Sequence, residues 1–113
     1  MKVDLTPDLE PYKRTAAFTQ STVPAGLLAD HSTKDGVWGL IHVEEGKLRY
    51  LVTDPRRTST DEVLTPDTAP GLVEPTILHR VEPIGTVTFY VEFLRDPQHG
   101  GKKTAPADQG EQV

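Results

Sequence analysis

The chain has 113 residues, which is one domain by the usual length prior, with room for one modest core. Only 35% of it is apolar, and its net charge of −5 comes from interspersed acids and bases, so it lacks the basic face of a nucleic-acid binder. It has no cysteine, which excludes disulfides and thiolate metal sites, and no stretch near the ~20 apolar residues of a membrane span.

The elements follow in chain order. The N-terminus is acidic early and lacks an apolar run, so it is no secretory signal, and a cytoplasmic protein is expected. Residues 1–10, with Pro7, read as an extended arm. Residues 12–18 read as a first strand, with Tyr12, Arg14 and Ala16 on one side. Residues 22–30 are irregular, anchored by Leu27 and Leu28, with room for one helical turn.

Residues 37–44 (VWGLIHVE) are rich in strand formers. Val37, Gly39, Ile41 and Val43 share one face; Trp38, Leu40, His42 and Glu44 share the other. Glu45-Gly46 reads as a hairpin turn, with glycine supplying positive φ. Residues 47–54 form the return strand, with Leu48, Tyr50 and Val52 alternating against Lys47, Arg49 and Thr53. Residues 54–60 are a loop, 62–64 a short strand and 65–71 a turn-rich connection. Residues 72–74 and 77–82 flank Pro75, Pro83-Ile84-Gly85 makes another turn, and 86–95 (TVTFYVEFLR) form the last strand.

About seven short strands at spacings near ~8–12 residues, punctuated by glycine and proline, are the signature of an all-β sandwich or barrel. Residues 96–113 contain no aromatic, leucine, isoleucine or methionine. Such a segment cannot offset its ordering entropy by burial, so a disordered tail is expected, holding His99.

Several short motifs occur in order: PYKRT at 11–15, DHSTK at 30–34 after a leucine pair, GVWG at 36–39, EGKLRY at 45–50, EPTILHRVEP at 74–83 and FYVEF at 89–93. This ordered set resembles the cupins, in particular the small single-domain cupins related to tellurite-resistance protein B and to the YeaR-like proteins. The resemblance spans roughly residues 11–95 and implies a small antiparallel, jelly-roll β-barrel over that range. It also implies a divalent metal, zinc, iron or nickel, in the barrel. His31 matches the first histidine of the cupin pattern, Gly46 the hairpin glycine, and His79 the later histidine after a proline. Thr33 stands at the second histidine position, and no acid stands at the usual spacing before Gly46, so the ligand set is incomplete.

Glu92 is the preferred third ligand, because a carboxylate within the apolar stretch 89–94 must face solvent or find a partner. His42 is the runner-up. Two imidazoles and a carboxylate with open positions suit a non-haem metal. Beside each metal role stands a plainer one. His31 and His79 can simply hydrogen-bond to backbone, Glu92 can pair with Arg49 or Arg80, and His42 can be a packing residue. Lys34, Trp38 and Arg80 are the candidate ligand-binding residues, with Lys34 placed to meet an anion and Trp38 as a pocket wall.

The leading functional expectation is a metal-binding cupin holding a small polar or anionic ligand, a stress-response accessory or sensor of the tellurite-resistance kind. The alternatives are a metal-dependent oxygenase or isomerase, and a structural module without metal. The sequence has no G-x-S-x-G elbow, no G-x-G-x-x-G and no Walker loop. The larger tellurite-resistance proteins couple such a domain to a methyltransferase; without a glycine-rich strand–helix loop, methyl transfer is not expected of this chain. A homodimer is expected, with a small-molecule ligand and neither nucleic acid nor membrane as partner.

Overall fold

A computed structural model describes residues 9–95; the expected tail and nearly all of the expected arm lie outside them, as does His99. The described elements are β1 (Glu10–Arg14), β2 (Phe18–Thr19), one 3-10 turn (Ala25–Leu28), β3 (Val37–Val52), β4 (Thr60–Leu64), β5 (Gly71–Val73) and β6 (His79–Arg95). They form a six-stranded antiparallel sheet in the order β1-β6-β3-β4, with β2 on β6 and β5 on β3. The all-β expectation holds. No helix among the described residues is long and apolar enough to cross a membrane.

The spine is the pairing of β3 with β6, which runs from Val37↔Arg95 to Val52↔His79. Two long strands stay paired over that length only by bending together. The bends fall at Gly46, with φ 80°, and Gly85, with φ 67°. Register shifts flank Gly46, where Glu45 faces Thr88 and Lys47 faces Ile84. The expected hairpin turn at Glu45-Gly46 is therefore a bulge inside one strand, and Pro83-Ile84-Gly85 is the matching excursion in the other. A Cβ on Gly46 would lie 2.0 Å from the Thr86 carbonyl oxygen, so only glycine lets the strands approach there.

The bulge also resets the alternation. Before it, Val37, Ile41 and Val43 point inward; after it, Leu48 and Tyr50 do. Extra residues in a bulge turn the following side chains to the other face, so both halves bury apolar positions. On β6 the inward set is His79, Val81, Val87, Phe89, Val91 and Phe93. Phe89, Phe93, Leu48 and Val87 are the largest fully buried side chains. Leu27, on the 3-10 turn, packs into the same core and closes one end.

The expected first strand over 12–18 is split. Thr15 makes the break: its backbone N–H donates to the Val91 carbonyl (2.9 Å), and its hydroxyl accepts from the Val91 N–H (3.1 Å). A side chain thus takes one ladder position, and β2 resumes pairing at Phe18↔Phe89.

Candidate functional site

The site grows from one backbone contact. His31 and His79 exchange two hydrogen bonds, each N–H to the other's carbonyl at 2.9 Å. Side chains of such a directly opposed antiparallel pair rise on the same face of the sheet. The two imidazoles accordingly meet, with ring centroids 4.2 Å apart and planes tilted by 59°. Tyr50 sets its ring edgewise 5.8 Å from His79, and its hydroxyl donates to the Leu72 carbonyl at 2.6 Å.

Both rings are held in the same way. Nδ1–H of His31 donates to the Ala29 carbonyl (2.9 Å), and Nδ1–H of His79 donates to the Ile77 carbonyl (3.0 Å). A carbonyl can only accept, so each proton sits on Nδ1 and each Nε2 of the neutral ring is a bare lone pair. The pKa of His79 is lowered to about 4, by burial foremost, with the Ile77 hydrogen bond pulling it up and His31 pulling it down. Burial also lowers that of His31, partly offset by the Ala29 carbonyl and Asp30. Both rings are neutral at pH 7.

The rings face a cavity closed by Leu27, Ile41, Val73, Phe89, Val91 and their neighbours. About 20 Å³ of it is open to the centre of a water molecule, room for one or two waters. Thr33 is the remaining polar side chain in the wall. It is buried, and its hydroxyl donates to the Val37 carbonyl at 2.7 Å. The connection leading into His79 is pinned. Thr76 sits at φ 68°, unusual for a β-branched residue, with its N–H on the Thr33 carbonyl (2.9 Å) and its carbonyl accepting from Arg56 (2.6 Å). The Asp54 carboxylate accepts from the Leu78 N–H (2.9 Å) and from Arg56. These bonds, the one to Arg56 foremost, hold its pKa far below the usual carboxylate range.

The other expected ligands lie elsewhere. Glu92 and His42 are on the outer face, where Nε2 of His42 meets the Glu92 carboxylate at 2.8 Å. The His42 ring stacks on Tyr90 (4.8 Å, 17°), and the Arg14 guanidinium lies 3.7 Å over the Tyr90 ring. The reason is period-two alternation: with Phe89, Val91 and Phe93 inward, Glu92 must point out. The proposed set of His31, His79 and Glu92 is thus divided by the sheet. Among the described residues no three His, Cys, Asp or Glu side chains are grouped to hold a metal ion. Lys34 is exposed, Trp38 shares the outer face, and Arg80 pairs with Asp30 and Glu82 (both 3.2 Å); none of the three lines the cavity. Sequence reasoning left Thr33 out of the candidate site, although it stands at the second histidine position of the cupin pattern.

A second cleft, of about 250 Å³, is bordered by Ile41, His42 and Val43 of β3, Leu64 of β4 and the turn Thr65, Pro66 and Thr68. Of its lining residues, only Ile41 also lines the histidine cavity.

Fold and site together define an all-β domain with a paired-histidine cavity rather than a metal centre. Residues 13–91 match the TehB-like domain, and the chain belongs to that family. The relatives include proteins from two strains of Haemophilus influenzae, each named a probable S-adenosyl-L-methionine-dependent methyltransferase TehB. They are 33% and 32% identical over 85 residues, covering 70% of this chain and 30% of each relative. The crystal structure of TehB from Haemophilus influenzae superposes with a TM-score of 0.75 at 26% identity, over 89% of this chain and 37% of that one. A solved protein from Escherichia coli K12 shares the fold, with a TM-score of 0.68 at 22% identity, and is covered over 99% of its length.

These relatives overturn two expectations. The leading reading of a metal-binding cupin with zinc, iron or nickel gives way to a methyltransferase-related domain, whose relatives' name carries S-adenosylmethionine. The expectation that methyl transfer does not extend to this chain is opposed by the same names. The chain spans under a third of the length of those relatives. The histidine cavity does not fit the cofactor itself. S-adenosylmethionine joins a nucleoside to an amino acid, and sites for ligands of that size run to roughly 300–1,000 Å³. The histidine cavity has room for only one or two waters, and the one described helical turn has four residues with no glycine-rich strand–helix loop before it.

Proposed function

We propose that this chain serves S-adenosylmethionine-dependent methyl transfer, and that its β domain handles the methyl acceptor rather than the methyl donor. The observation that carries the reading is the wall of the His31–His79 cavity, polar only through groups that accept protons or hydrogen bonds. A nucleophile that loses a proton on methylation is matched by such groups, whereas a sulfonium nucleoside finds no space. His31 and His79 hold the acceptor through Nε2, Thr33 completes the polar wall, and Leu27 and Phe89 keep water out.

The test is a chimera in which this chain replaces the matching segment of Haemophilus influenzae TehB, with hydrogen sulfide as the smallest acceptor. His79→Phe in the chimera raises KM for the acceptor and leaves KM for S-adenosylmethionine unchanged. A change confined to the cofactor's KM refutes the assignment.

A further inference from the structure

The wall of the histidine cavity has an unusual one-sidedness. Its side-chain donors are already spent inside the protein. Nδ1–H of His31 is committed to the Ala29 carbonyl, Nδ1–H of His79 to the Ile77 carbonyl, and the Thr33 hydroxyl to the Val37 carbonyl. What remains for an occupant is three acceptors: two Nε2 lone pairs and the free lone pair of the Thr33 oxygen. The rest of the lining, Leu27, Ile41, Val73, Val81, Phe89 and Phe93 among it, is apolar.

We propose that this cavity binds a small uncharged molecule carrying two or more O–H, N–H or S–H donors, and that it turns away anions that carry no proton. An anion without a proton, such as nitrate, brings only acceptors, so it would leave its own lone pairs and those of the histidines facing one another in an apolar enclosure. Its hydration is stripped there with nothing to offset the loss. Asp30, next to His31 in sequence, adds negative charge near both rings, although Arg80 pairs with it at 3.2 Å. A neutral donor meets each lone pair and leaves none of its own protons unsatisfied. The size of the cavity limits the occupant to a few heavy atoms. The pair also selects by geometry, because ring centroids 4.2 Å apart present two acceptors to one small molecule at once. This reverses the anionic ligand expected from Lys34, whose ammonium lies outside the cavity.

The inference names the class of acceptor for the function proposed above and rests on that reading for its biological meaning. Its test contains no methyl donor, so the two can fail separately. Boric acid and nitrate are the probes: both are planar, with three oxygens about a centre, but boric acid is neutral with three O–H donors and nitrate is an anion with none. Hydroxylamine serves as a smaller neutral donor. The full chain, labelled with ¹⁵N, is titrated at neutral pH while long-range ¹H–¹⁵N correlations report the imidazole nitrogens. The unliganded spectrum should show both rings protonated on Nδ1. Boric acid or hydroxylamine should shift both Nε2 signals saturably, and nitrate at the same concentration should leave them in place. His31→Phe, which keeps a flat aromatic ring at the less buried position, should weaken binding roughly tenfold, the loss of about one hydrogen bond to the ligand. His79→Phe should do the same if it folds. Nitrate shifting the signals, neither neutral probe shifting them, or protons found on Nε2 each overturns the proposal.

Discussion

Acid should unfold this protein through its histidines before it does so through its carboxylates. His79 is 4% exposed, and its pKa falls from 6.5 to about 4 on folding. The unfolded chain therefore takes up the proton first. A base depressed in the folded state contributes stability that is present at neutral pH and lost as pH falls from the unfolded value toward the folded one. With those two values, His79 alone removes about 2 kcal/mol between pH 7 and pH 5, and roughly 3 kcal/mol once pH drops below 4. His31, also depressed by burial, adds in the same direction. Asp54, Asp61 and Glu74 are held below their ordinary values by arginines, so their contribution is lost only at lower pH. The two classes separate in pH.

The assay is urea unfolding at pH 7 and pH 5, followed by the fluorescence of Trp38. The midpoint should fall at pH 5 with an unchanged slope in urea, the mark of a change in stability rather than in surface exposed. His79→Phe should reduce the difference between the two pH values, and His31→Phe with His79→Phe should nearly abolish it. Equal midpoints at pH 7 and pH 5 in the wild type would refute the reasoning, and so would a pH difference that survives in the double variant.

Three substitutions test the frame around the site. Gly46→Ala should cost at least ~2 kcal/mol in urea unfolding, because it combines a left-handed backbone with a Cβ 2.0 Å from the Thr86 oxygen; a loss under half of that would mean the bulge relaxes. Thr76→Gly should raise stability by roughly 0.5 kcal/mol, since relief of a β-branched residue at φ 68° outweighs the added freedom of the unfolded chain, and a lower Tm would show that the threonine side chain is needed there. Tyr50→Phe should lose about 1 kcal/mol by leaving the Leu72 carbonyl without its 2.6 Å donor, while circular dichroism stays that of the wild-type sheet.

The strands were legible because their alternation is local. Val37, Ile41 and Val43 read as one face, and they are buried; Trp38, Leu40 and His42 read as the other, and each is less buried. What joins the strands was not legible. Glycine with positive φ serves a two-residue turn and a bulge equally, so Glu45-Gly46 carries the signal of both. The choice is made by β6, which lies antiparallel along the whole of β3 and brings Thr86 against Gly46. That contact spans forty residues of sequence and leaves no trace in the local pattern. The same holds for Thr15, whose hydroxyl takes a ladder position from a distant strand.

The histidine pair shows where a family pattern helps and where it misleads. The motif order drew His31 and His79 together, and the backbone does pair them. The third member was chosen by asking what a carboxylate does in an apolar stretch, and the answer depends on which side of the sheet it occupies. Tyr90 and Leu94, its same-face neighbours, look like core residues by type. Yet Tyr90 stacks with the His42 ring and has the Arg14 guanidinium over its own ring on the outside, and Glu92 has its partner there in His42. Counting in twos from Phe89, Val91 and Phe93, which are apolar and alternate strictly, places Glu92 outward without any structure. With the carboxylate removed, the inner pair changes character. Two neutral imidazoles whose Nδ1 protons are tied to the backbone are a pair of lone pairs in an apolar wall. They suit a molecule that brings protons to them, and the outer His42–Glu92 pair is chemically separate.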